Sequence, residues 1–210
     1  MTSWRDARYA VVDVETTGLD PAVNEVLSIG IVDVVGGRVQ VGSAYYREIR
    51  PRVPPAAENV VIHGIRPVDA ASGADPDEVG TEVVERLRDR VLVAHVAWVE
   101  RSFLRAWLAP LGWPVPEDVV DTDVLARLAR ARAGGPVMDG HLRLGAAAAR
   151  YGLPEQGRHH ALGDALTTAQ LLLAVVGDVS ADGEPTLRDL LTAERQLRRT
   201  RLVRRLRPRR

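Results

Sequence analysis

Residues 10–20 read AVVDVETTGLD, two acids set into an apolar run that otherwise has the character of a strand. Val11, Val12 and Val14 are β-branched and favour a pleated, half-buried environment, and Thr17-Gly18 reads as the turn that ends the run. On a strand, side chains two apart share a face, which puts Asp13 and Glu15 side by side with Cα atoms roughly 6.6 Å apart. Two bare carboxylates repel there, and burying them without a partner costs several kcal/mol each. A cation is required. No Lys or Arg lies between Tyr9 and Asp20, so the counter-charge is either a distant Arg or a divalent metal.

The 210 residues suit one domain with a sizeable core and a short appendage. A composition of 46% hydrophobic and 27% charged residues is that of an ordinary globular protein. With no cysteine in the chain, disulfides and thiolate metal sites are excluded. His and carboxylates remain as ligands, a set suited to hard cations such as Mg²⁺ or Mn²⁺. The opening MTSWRDARYAVVD has no apolar leader segment, and Leu171–Val176 is far too short to cross a bilayer. A cytoplasmic protein with no membrane contact is expected.

The zero net charge conceals a division. All 28 basic residues are Arg and nine of them fall in residues 195–210, whereas all 28 acids lie at or before Glu194. The body therefore carries −9 and the tail +9, which points to separate roles.

Along the chain, the β-rich runs on either side of Gly36-Gly37 predict an antiparallel hairpin, its second strand ending before Pro51. Pro51–Pro67 reads as a proline-punctuated loop. Val79, Val83, Val84 and Leu87 recur at helical spacing, VLVAHV is a short buried strand, and Phe103, Leu104, Trp107 and Leu108 share a helical face that Pro110 ends. A last short strand precedes a helix stopped by Gly134-Gly135, and two further helices follow. The order β-β-β-α-β-α-β-α-α-α predicts an α/β fold, a mixed sheet covered by helices. Gly177–Pro185 marks the boundary between a main domain, 1–178, and a linker with a basic C-terminal helix, 179–210. In that segment Thr186 and Asp189 resemble a helix start, leucines 187, 190, 191 and 197 fall on one side, and the helix is expected to fray at Pro208.

Four further stretches carry candidate chemistry. HHALGDA, 159–165, places Asp164 near a helix start with His159 and His160 before it; VAHVAWVERSFL places Glu100 at a helix start after a strand; VIHGI offers His63; VVDTDVL offers Asp121 and Asp123. Singly, each has a structural explanation: first-turn charge for Glu100, a loop histidine for His63, a helix cap for Asp121 or Asp123.

Together and in this order they resemble the DEDD superfamily of 3'-5' exonucleases, histidine branch, which includes the proofreading subunit of bacterial DNA polymerase III. The resemblance runs from about Tyr9 to Val176. The motif D-x-E-T-T-G-L stands complete at Asp13–Leu19, H-x-A-x-x-D-A stands at His159–Ala165, and H-G-I at His63–Ile65 and D-T at Asp121-Thr122 also match. The second motif departs. Where the family usually reads A-H-N-x-x-F-D-x-x-F-L, this chain has Val96, Val99 and Glu100 in place of Asn, Phe and Asp. The carboxylate survives, longer by one methylene, while an amide and a ring are lost.

The resemblance implies a ribonuclease H-like mixed sheet of about five strands flanked by helices, and a metal-dependent 3'-5' exonuclease that releases nucleoside monophosphates from single-stranded or frayed DNA. Asp13, Glu15, Glu100 and Asp164 would hold two Mg²⁺ or Mn²⁺ ions for in-line phosphoryl displacement. His159 would take the proton from the attacking water; helical spacing alone favours His160, four residues before Asp164. Thr16, Thr17, Gly18, Leu19 and His63 would lie against the terminal nucleotide. An RNA-trimming exoribonuclease of the same fold, or a nuclease-like binding module with impaired catalysis, are the alternatives. Partners would be single-stranded DNA or RNA 3' ends; association with a polymerase or repair complex and the oligomeric state stay open.

Overall fold

A computed structural model describes residues 2–136, 140–180 and 183–206, with side chains as far as residue 200. Strand β1 (Arg8–Thr16) is the middle of a five-stranded mixed sheet of order β3-β2-β1-β4-β5. β2 (Val26–Val35) and β3 (Arg38–Glu48) form the expected hairpin. Gly36 and Gly37 have φ values of 60° and 71°, the pair of positive φ angles that a two-residue turn matched to strand twist demands. β1 runs antiparallel to β2 and parallel to β4 (Val91–Ala94), which is parallel to β5 (Val120–Asp121). The sheet is thus the α/β arrangement anticipated above.

Between β3 and β4 lie α1 (Ala57–His63), α2 (Pro67–Ala71) and α3 (Pro76–Leu87). Two of these fall within or at the end of the stretch read as loop. Their signal is weak because Val60, Val61 and Ile62 are consecutive rather than spaced by a helical period, and α1 buries none of its residues. It is stopped by Gly64 at φ 76°, whose N–H donates to the Val60 carbonyl. α4 (Trp98–Leu108) follows β4, and α5 (Thr122–Arg132), α6 (Leu144–Arg150), α7 (Ala161–Val176), α8 (Leu187–Leu191) and α9 (Ala193–Leu206) follow β5.

Alternation along β1 divides the core into two layers. Ala10, Val12 and Val14 face α3 and α4, meeting Val79, Val83, Phe103, Leu104 and Leu108. Tyr9 and Val11 face the opposite way and pack with Leu125 and Leu128 of α5 and Ala165, Ala169 and Leu172 of α7. Leu190, Ala193 and Leu197, from the segment read as linker and basic tail, are buried in this second layer. The two ends of the chain are also tied: Trp4 N–H donates to the Pro185 carbonyl and Leu187 N–H to that of Thr2. Thr186 and Asp189 cap α8 reciprocally, as their spacing suggested. Pro208 lies outside the described residues.

Candidate active site

Asp13 and Glu15 continue the Tyr9 and Val11 face past the end of the apolar core, toward the carboxyl end of β1. α7 reaches them because of Gly30, which pairs with Asp13 across the β1–β2 ladder. A β-carbon at Gly30 would come within 2.3 Å of the Ala161 and Leu162 backbone, so the first turn of α7 rests directly on the strand and brings Asp164 with it. From the other layer, the α4 start delivers Glu100, which is only 5% exposed.

The four acids feel one another. Burial pushes the Asp13 carboxyl well above the usual range, and Glu100, Glu15 and Asp164 each push it further. Glu15 is raised to about 7, by burial and then by Asp164. Glu100 is raised to about 8, chiefly by burial, with Asp121 and Glu15 adding to it. Asp164 is raised by burial, an effect that its bond from the His159 N–H and the His159 ring opposes. No Arg forms an ion pair with any of the four among the described residues, and Glu100 Oε2 is buried without a hydrogen-bond partner.

These observations test whether a metal fits. Glu15, His159 and Asp164 offer ligand atoms all within 4.8 Å of one another, and hard carboxylate oxygens with an orphaned buried member are the donor set that a divalent cation completes. The distant Arg considered from sequence does not materialise among the described residues, whereas the residues present do suit a cation.

The histidines part company. His159 sits in the loop before α7 with φ 59°, and its N–H donates to Asp164 Oδ2 at 3.0 Å. His160 is the N-cap residue of α7 and its ring stacks on Tyr46 of β3, centroids 4.4 Å apart. His63, at the end of α1, faces His159 closely enough that, after burial, it is the second influence lowering the His63 pKa; His63 Nε2 is buried and unpartnered. A hollow of about 210 Å³ brings His63, His159, His160 and Glu15 to one wall.

The turn after β1 is braced from within. Thr17 Oγ1 accepts from the Glu25 N–H, Asn59 Nδ2 donates to the Thr17 carbonyl, and Thr16 Oγ1 donates to that of Gly18. Thr17 is buried, whereas Leu19 is 81% exposed. Of the two candidate helix caps, Asp121 is one and Asp123 is not. Asp121 caps α5 and accepts from the Val96 and Ala97 N–H groups, at 3.1 and 3.0 Å. Asp123 is fully buried and accepts from His141 Nδ1 and Leu142 N–H. No local spacing in the sequence ties His141 to Asp123, eighteen residues away.

With the geometry in place, three likenesses bear on it. Over 190 residues the chain is 33% identical to a DNA polymerase III subunit epsilon-like protein of Rhodobacter capsulatus, covering 90% of this chain and 26% of that protein. Over 179 residues it is 34% identical to a PolC-type DNA polymerase III of Thermotoga maritima, covering 83% of this chain and 12% of the relative. It therefore spans about a quarter or less of these relatives. Exonuclease I of E. coli in complex with a dT13 oligonucleotide shares the fold, with a TM-score of 0.67 at 18% identity over 80% of this chain and 41% of that one. No helix among the described residues is long and apolar enough to cross a membrane. The sequence profile described as "Exonuclease" (RNase_T) matches residues 10–172, and with the relatives above it establishes that the chain belongs to this exonuclease family.

Proposed function

We propose that the chain is a metal-dependent 3'-5' exonuclease that removes nucleoside monophosphates from single-stranded or frayed DNA ends in the cytoplasm. The observation that carries this is the mutual repulsion of Asp13, Glu15, Glu100 and Asp164, none ion-paired with an Arg among the described residues, with Glu15, Asp164 and His159 near enough to share a metal. The names of the polymerase relatives and the DNA bound by exonuclease I favour DNA over RNA and make a polymerase or repair complex the partner class.

The acids would hold two Mg²⁺ or Mn²⁺ ions, which when bound polarise the attacking water and stabilise the leaving 3'-oxygen. Glu100 reaches the cluster from a helix start, so its extra methylene is accommodated by a set-back of α4. His159 takes the proton of the attacking water: it adjoins Asp164, and its ring is not committed to a stack as that of His160 is. Leu19 and His63 flank the approach to the cluster and contact the terminal nucleotide; Thr16, Thr17 and Gly18 shape the turn that presents Leu19.

The test is digestion of 5'-labelled single-stranded DNA and RNA of equal sequence with Mg²⁺ or Mn²⁺, then with EDTA. Stepwise shortening of the DNA from its 3' end, stopped by EDTA, is expected. Preferential loss of RNA would transfer the reading to an exoribonuclease, and intact polymers in both metals would leave a binding module.

A further inference from the structure

Next to the acid cluster lies a hollow of about 510 Å³ whose lining includes His159, Asp164, His141, Arg143 and Arg158. The fold engages one nitrogen of His141, through an Asp123 oxygen that also lies 3.5 Å from Arg127 Nε. Its segment is already held without its ring: Leu142 N–H donates to Asp123 Oδ1 at 2.8 Å, the Leu142 carbonyl meets His95 Nε2 at 2.7 Å, and Arg127 Nη1 donates to the Gly140 carbonyl. The His141 ring nevertheless bonds through Nδ1 to Asp123 Oδ2 at 2.8 Å, and the side chain remains 51% exposed. A buried carboxylate thus fixes the orientation of an imidazole on the wall of the hollow, leaving Nε2 for another partner.

We propose that His141 is a phosphate-binding residue: braced by Asp123, it and Arg143 receive a phosphodiester group of the single strand upstream of the bond that is cut. With Nδ1 engaged by Asp123, a phosphate oxygen on the Nε2 side completes the ring's second hydrogen bond. Arg143, exposed two residues on, forms no ion pair among the described residues and supplies a cation to the same hollow. Arg158 on the same wall is paired with Glu155, and the apolar part of the lining, Ile62, Val96, Leu142 and Leu144, suits the faces of unpaired bases. This inference rests on the nuclease reading, and it adds an element outside the metal acids and His159.

The experiment compares full-length wild type, His141→Gln and His141→Arg. Binding of a fluorescein-labelled oligothymidylate is titrated across a salt series with Ca²⁺ in place of Mg²⁺, and KM and kcat are measured separately with Mg²⁺. His141→Gln should raise KM and Kd about tenfold, the size of one charge-assisted bond, with kcat and Tm close to wild type. It should also flatten the slope of log affinity against log salt by about 0.7, the loss of one phosphate contact on a single strand. His141→Arg should restore both. Unchanged KM and slope in His141→Gln would overturn the proposal, as would a fall in kcat and Tm that His141→Arg does not rescue. Absence of cleavage by wild type with retained binding would sink the nuclease reading alone, because the salt slope still reads His141; absence of both would sink the two together.

Discussion

Gly30 on β2 stands directly opposite Asp13 on β1, and the space a side chain would fill at residue 30 is occupied by the backbone of Ala161 and Leu162. One missing β-carbon therefore sets the distance between the strand that carries two acids and the helix that carries a third. Gly30→Ala should force α7 away from the sheet, at a cost of about 1–3 kcal/mol typical of overpacking. Displacing Asp164 and His159 by roughly 1 Å should lower turnover about 100-fold. Thermal unfolding and single-turnover cleavage check this; wild-type turnover in a folded Gly30→Ala protein would show that α7 is not positioned by this contact.

Val96 occupies a backbone conformation with φ 63°, a region that β-branched residues rarely enter. Two bonds from Ala97 and Val96 N–H to Asp121 hold the turn there. The family's usual residue at this place is Asn, which tolerates that conformation. Val96→Asn and Val96→Gly should therefore stabilise the protein, by about 1 kcal/mol, or roughly 2–4 °C in Tm. A lower Tm for both would mean that apolar contacts of Val96 outweigh the strain.

Asp13→Asn or Asp164→Asn should abolish hydrolysis while raising the Tm of the metal-free protein by a few degrees, since removing one charge relieves the others. Glu100→Gln should nearly eliminate turnover, and Glu100→Asp should lower it by withdrawing the carboxylate about 1.5 Å from a position fixed by the helix start. A gain in Mg²⁺-supported turnover for Glu100→Asp would instead identify the native site as a weakened one.

The same acids set a pH dependence. Glu15 titrates near 7 and Glu100 near 8 in the fold, against an ordinary value of 4.5, so the folded chain retains protons that the unfolded chain has released. The metal-free protein is therefore most stable below about pH 4.5 as far as these groups are concerned, and it loses that contribution as pH rises through 7 to 8. A divalent ion should reverse the loss by binding the ionised form. Melting temperatures from pH 5 to 8.5 with EDTA should fall, and the increment on adding Mn²⁺ should grow over the same interval. A flat metal-free profile would count against the burial and mutual repulsion of these carboxyls.

Much of the fold is legible in the sequence. The β-branched run Val11–Val14 specifies the central strand, the Gly36-Gly37 turn specifies the β2–β3 hairpin, and the spacing of Val79, Val83 and Leu87 specifies α3. α1 was not legible, since it presents Val61 and Ile62 to solvent and is held by the Asn59 bond to Thr17, a contact between segments distant in sequence. The acids that the fold brings together stand in the sequence as motif residues. The contacts that orient the surrounding loops, Asp121 to Val96 and Asp123 to His141, pair groups on separate elements, and no local pattern encodes such pairs.

The tail offers the last test, and the fold decides where to cut. Leu197 and Ala193 are buried against the α5–α7 layer and Arg132 bonds to Gln196, so removing everything from residue 195 would open the core as well as delete charge. Residues 201–210 carry six of the nine terminal arginines and follow the buried Leu197. Deleting 201–210 should leave Tm within about 2 °C, equivalent to less than 1 kcal/mol, and kcat at saturating substrate unchanged. The slope of log affinity for single-stranded DNA against log salt should flatten by about 0.7 for each arginine that contacts phosphate. A slope equal to that of the full chain would mean that the arginines contact a protein partner or nothing, because six positive charges without effect on polyanion binding are not on the path of the strand.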